Sequence, residues 1–148
     1  MRGTFLYFNF NLFNQINKGE IKELYILSGG PSNIILSKQK HSEDLISQIF
    51  LERLLKELKK QKSSKKIKYK GIWNEKFKGS NLLELFSGFG EDRFLKELPT
   101  LATTVIFGEY IAYLFTMNEI PQVIEIQNKL IAEENKAYFS YLWKIAKN

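Results

Sequence analysis

The chain has 148 residues, a formal charge of +6, no cysteine and a single histidine, His41. Disulfide frameworks, thiolate metal sites and clusters of several imidazoles are thereby excluded, so no metal and no cofactor is expected, and a reducing cytoplasm suits the composition. Hydrophobic residues at 44% and aromatics at 14% are those of a globular domain, and no run reaches the roughly 18–20 apolar residues that a membrane span needs.

At this length one core and one domain, 1–148, are expected. The opening stretch MRGTFLYFNFNLF is aromatic-rich after Arg2, but Asn9, Asn11 and Asn14 interrupt it and no small-residue cleavage site follows, so it reads as mature protein. Over residues 3–17, Phe8, Phe10 and Leu12 alternate as in a strand, while Leu6, Phe10, Phe13 and Ile16 fit helical spacing. Lys18-Gly19 favours a helix ending at Gly19. Residues 22–28 form a short β-rich run that stops at Gly29-Gly30-Pro31, a strand and a turn. Asn33 to Gln39 is a further short strand or a loop.

Ser42, followed by Glu43 and Asp44, places a capping oxygen and two carboxylates at the positive end of a helix dipole. Leu45, Ile46, Ile49, Phe50, Leu54, Leu55 and Leu58 then form one apolar stripe, and Ser63-Ser64 closes the helix. Residues 65–73 alternate, with Ile67, Tyr69 and Trp73 on one side and lysines on the other, as in a strand with one wet face or near a sheet edge. Residues 75–90 read as loop and short helix, and Arg93 to Leu98 as a lead-in to Pro99. A meander follows: strand 102–107, turn at Gly108-Glu109, strand 110–116, turn at Met117 to Glu119, strand 121–126. The last helix starts near Asn128, with one apolar row of Ile131, Tyr138, Leu142 and Ile145 beside another of Ala132, Phe139, Trp143 and Ala146. Tyr138, Phe139, Tyr141 and Trp143 are expected in the core, Tyr141 at its margin. Helices interspersed with strands define an α/β domain, a mixed sheet flanked by helices.

Four features bear on chemistry. LSGGPSN lies just past a strand, where open α/β sheets bind ligands, and amides freed by Gly29-Gly30 can hold an anion. Ser28, Gly29, Gly30 and Arg93 are therefore the candidate ligand-binding residues, against the plainer reading of a tight turn, since neither GxGxxG nor a Gly-Lys-Ser phosphate loop is present. His41 stands one residue ahead of a helix cap and has no evident partner, so no catalytic residue is assigned. The lysine run holds Lys59, Lys60, Lys62, Lys65, Lys66 and Lys68 as candidate nucleic-acid contacts, with Tyr69 and Trp73 as rings for base stacking. The same lysines also serve solubility and block edge pairing. The carboxylates form no recognisable pair, and Arg93 beside Glu91 and Asp92 reads as a structural ion pair.

The stretches ATTVIFGEYIAYLF and PQVIEIQNKLIAEENKAYFSYLWKIA carry a hairpin with a Gly-acid turn, a Val/Ile-rich strand and a helix finishing on aromatic-x-x-Leu-Trp. GEIKELYILSGG, FLERLLKE, KIKYKGIWNE and RFL precede them in that order. With these the chain resembles the phospholipase-D-like regulatory domain of archaeal TrmB-type transcriptional regulators, over residues 1–148 and most firmly over 100–147. The resemblance implies a phospholipase-D-like fold, a homodimer, and a module that senses a ligand or docks onto a DNA-binding partner. Two departures matter. No winged helix-turn-helix is visible in this sequence, and the His-x-Lys-x-x-x-x-Asp signature of the enzymes is missing, because His41 is followed by Ser42 and Glu43. The fold without phosphodiesterase activity is therefore expected. The alternatives are a stand-alone nucleic-acid-binding protein and a degenerate phosphodiesterase.

Overall fold

A computed structural model describes residues 11–28, 52–60, 67–79, 83–84, 88–98, 103–117 and 120–148. Helix α1 (Asn11–Lys18) ends where Gly19 takes a φ of 69°, a left-handed turn that lets Gly19 and Glu20 donate back to the carbonyls of Ile16 and Gln15. The helical reading therefore holds over the described part, Asn11–Lys18, while residues 3–10 lie outside the described residues. Strand β1 (Glu23–Ser28) follows, then helix α2 over 52–60, which turns Leu54, Leu55 and Leu58 inward. Strands β2 (Lys68–Asn74), β3 (Gly90–Leu95), β4 (Thr103–Phe107), β5 (Tyr110–Met117) and β6 (Ile120–Gln127) lead to helix α3 (Lys129–Ile145). Gly29, Gly30, His41, Ser42, Lys62, Lys65 and Lys66, and the expectations for Asn33 to Gln39, lie outside the described residues.

The strands form one mixed sheet of order β3-β2-β1-β4-β5-β6. β1 is its pivot, parallel to β2 and antiparallel to β4. β2 and β3 are parallel, whereas β4, β5 and β6 form an antiparallel meander. Gly108, at φ 57°, makes the tight β4–β5 turn at the expected place.

Where one core is expected from the length, the alternation of the strands separates two apolar clusters, one on each face of the sheet. On one face Leu24, Ile26, Tyr69, Trp73, Val105, Phe107 and Ala112 pack under the leucines of α1 and α2. On the other, Leu27, Ile72 and Ile106 pack under Phe139, Leu142 and Ala146 of α3. The protein is thus a mixed α/β layered fold, as the element order predicts.

Two expectations need correction. The sequence of β3 reads as loop and lead-in, because Gly90, Glu91, Asp92 and Arg93 show no apolar alternation; pairing along β2 makes it a strand. The second concerns the lysine-bearing strand, which does lie next to the edge as expected but has no wet face, with only Lys68 of its polar row exposed. Lys70 is half-buried, and Ile72 in the same row is sealed beneath α3.

Candidate interaction surface

The sequence-selected ligand residues do not converge. Ser28 is buried at the end of β1, its hydroxyl 2.9 Å from that of Thr103. Arg93 lies two strands away; its neighbour in the β2 ladder is Ile72, so it belongs to the opposite sheet face from Ser28, which pairs with Trp73. A cleft of about 560 Å³ opens beyond the carboxyl ends of β2 and β3, lined by Asn74, Glu75, Lys76, Lys96, Glu97 and Leu98. Its charges are mixed, and the Asn74 side chain is occupied in accepting from the Lys76 amide at 3.0 Å. Among the described residues no group of three His, Cys, Asp or Glu can hold a metal ion.

The lysine cluster is only partly described. Lys59 and Lys68 are exposed, and Lys60 reaches Glu57 on its own helix at 3.4 Å. The proposed stacking rings are not available to bases, because Tyr69 and Trp73 are 2% and 1% exposed. They are held inward by Asp92, whose Oδ1 accepts from the Tyr69 hydroxyl at 2.6 Å and from Trp73 Nε1 at 2.9 Å. Burial first, then the Asp92 charge, raises the Tyr69 hydroxyl well above its usual range; burial likewise raises the Asp92 carboxyl. The three polar groups meet where Gly71 leaves room. A Cβ at Gly71 would fall on the Tyr69 hydroxyl, with Asp92 Oδ1 and Trp73 Nε1 2.5 Å away. This is a structural lock inside the core, and the sequence reading missed it because β3 was not recognised as a strand.

The surface that remains unexplained by folding belongs to α3. Asn128 caps the helix, its Oδ1 accepting from the Ile131 amide at 3.0 Å, and its own amide donates to the Glu109 carbonyl of the β4–β5 turn. The far end is clamped to β3. Arg93 lies 4.2 Å from the Trp143 ring centre and donates to the Trp143 carbonyl at 2.8 Å; Lys70 approaches the same ring at 5.1 Å. Lys147 and Phe94 exchange both backbone hydrogen bonds, at 2.6 and 2.9 Å. Between these anchors Phe139 packs on Tyr25 with ring centres 4.9 Å apart.

With the helix so fixed, the sheet covers one arc of it, which takes Leu142 from the first apolar row as well as most of the second, and leaves the next arc open. Ala132, Phe139, Leu142 and Ala146 are buried and Trp143 is half-buried. Leu130, Tyr138, Tyr141 and Ile145 stay 72%, 57%, 63% and 52% exposed. The expectation that Tyr138 joins the core is thus corrected, and Tyr141 lies well outside it and not at its margin: a sheet supports one arc of a helix, and the next arc looks away. These four residues recur at helical spacing on one side of α3. Ile124, 48% exposed, adds an apolar side chain on β6, the sheet edge to which no described residue adds a strand. Isolated exposed apolar residues are ordinary, but a row of four is a feature of interaction sites.

No family model matches the chain, and no curated protein matches it. Among solved structures it is similar to TrmBL2, an archaeal chromatin protein described as showing a novel mode of DNA binding, with a TM-score of 0.48 and 16% identity. The match covers 92% of this chain and 48% of that one, so the chain spans about half the length of the solved relative. No helix among the described residues is long and apolar enough to cross a membrane.

Proposed function

We propose that the chain is a non-enzymatic regulatory module of the TrmB type, with a phospholipase-D-like scaffold, that works in the cytoplasm by self-association and docking rather than by catalysis. The observation that carries this reading is the outer row of α3, where Leu130, Tyr138, Tyr141 and Ile145 each leave more than half their surface exposed. Tyrosines and large aliphatics exposed together are the composition of an interface centre. The missing His-x-Lys-x-x-x-x-Asp signature supports the non-catalytic part: His41 has no lysine two positions on.

The nucleic-acid reading has less behind it. The exposed lysines provide charge, but the rings meant to stack on bases are sealed in the core.

Light scattering on the eluting protein at micromolar concentration, together with a turnover assay on a generic phosphodiester, tests the reading. A dimer without turnover is the expected result. A monomer, or turnover that His41→Ala abolishes, overturns it.

A further inference from the structure

We propose that the outer row of α3 pairs with the same row of a second copy, antiparallel, about a twofold axis level with Tyr138 and Phe139, with Glu134 of each copy beside Lys144 of the other. The inference rests on the self-association proposed above and specifies its geometry.

Three observations carry it. The first is the charge pattern. Glu134 and Lys144 are both exposed. At 100° per residue they fall about 40° to either side of Leu130, Glu134 on the side of Tyr141 and Tyr138 and Lys144 on the other flank. They lie ten residues apart, about 15 Å along the axis. Packed parallel, the two copies would set Glu134 against Glu134 and Lys144 against Lys144. Packed antiparallel, they set Glu134 against Lys144 twice.

The second is that one axis serves both sets of residues. The point midway between Glu134 and Lys144 is level with Phe139. The point midway between Leu130 and Ile145 is level with Ala137 and Tyr138. A single twofold therefore matches the charges and brings Leu130 near Ile145 of the other copy, with the tyrosines at the centre. An isologous contact requires this self-complementarity.

The third is area. The four exposed side chains together with Ile124 present on the order of 500 Å² per copy, so that a pair buries on the order of 1,000 Å², the lower bound for a specific interface. The face is a convex helix flank and not a cleft, which suits a second helix better than a small ligand.

The test is a charge swap read by sedimentation or light scattering at low ionic strength on the full chain. Glu134→Lys and Lys144→Glu should each weaken the dimer about tenfold, since each reversal turns two attractions into repulsions. The double variant should return to within about threefold of the parent. Both positions are exposed, and far-ultraviolet circular dichroism checks that the variants fold. A parent dimer indifferent to the single reversals overturns this pairing and leaves self-association standing. So do single reversals that weaken the dimer without rescue in the double variant. A monomeric parent overturns both, and leaves a different protein as the partner of this face.

Discussion

Arg93 sits over the Trp143 ring and also donates to the carbonyl of that same residue, so one guanidinium fixes both the ring and the backbone at the end of α3. Glu91, 3.5 Å from the guanidinium, steadies it from the strand side. Arginine suits this position because its planar fork stacks and donates at once, which an ammonium does less well.

Arg93→Ala should therefore lower stability by about 1–3 kcal/mol in urea titration, and Arg93→Lys should recover only part of the loss. Equal stability of the alanine variant and the parent would show the clamp to be incidental.

Gly90 and Gly88 give a paired test of β3. A Cβ at Gly90 would run into the Tyr69 backbone carbonyl, whereas one at Gly88 meets nothing within 4 Å. Backbone cannot step aside as a flexible side chain can, so Gly90→Ala should cost more than about 2 kcal/mol and Gly88→Ala within about 0.5 kcal/mol of nothing. Thermal melting of both variants decides, and similar midpoints would contradict the β2–β3 register.

Asp92 has opposite effects by substitution and by pH. Asp92→Ala removes the oxygen that accepts from the Tyr69 hydroxyl and the Trp73 N–H and should cost about 2–4 kcal/mol, whereas Asp92→Asn keeps an acceptor and should cost far less. Burial, opposed by those two donors, raises the folded carboxyl above its usual value. The folded protein therefore holds a proton that the unfolded chain releases, and this group's contribution to stability declines as pH rises from the ordinary carboxylate range to the raised value, then levels off. Asp92→Asn should flatten that decline in urea midpoints measured across mildly acid pH.

Phe139 and Tyr141 separate folding from association. Phe139 is 2% exposed against Tyr25 and should cost about 3–5 kcal/mol when cut to alanine. Tyr141, 63% exposed, should cost within about 0.5 kcal/mol of nothing on the monomer fold, while weakening the dimer seen by light scattering. A stability loss at Tyr141 comparable with that at Phe139 would mean that its ring belongs to the core.

Where the chain follows local rules its structure was legible. Gly19 ends α1, Gly108 makes the hairpin and Asn128 caps α3, each through one residue whose backbone or side chain dictates the outcome. β3 was not legible, because Glu91, Asp92 and Arg93 are held in a strand by the neighbouring β2 and not by their own preferences. The apolar width of α3 was visible, but the covered row was not. That depends on how much of the helix the sheet can reach, and Tyr138 differs from Phe139 in environment by only one residue's rotation. The Asp92 lock depends on Gly71 facing Asp92 across two parallel strands, a register that no sequence period records.

Because α3 is tied to the Glu109 turn at one end and to Phe94 at the other, it braces the sheet like a strut running from the meander to the parallel strands. Such a brace resists shear between the two halves. A displacement of β3 would enter α3 through the Arg93–Trp143 contact, only two residues from Tyr141.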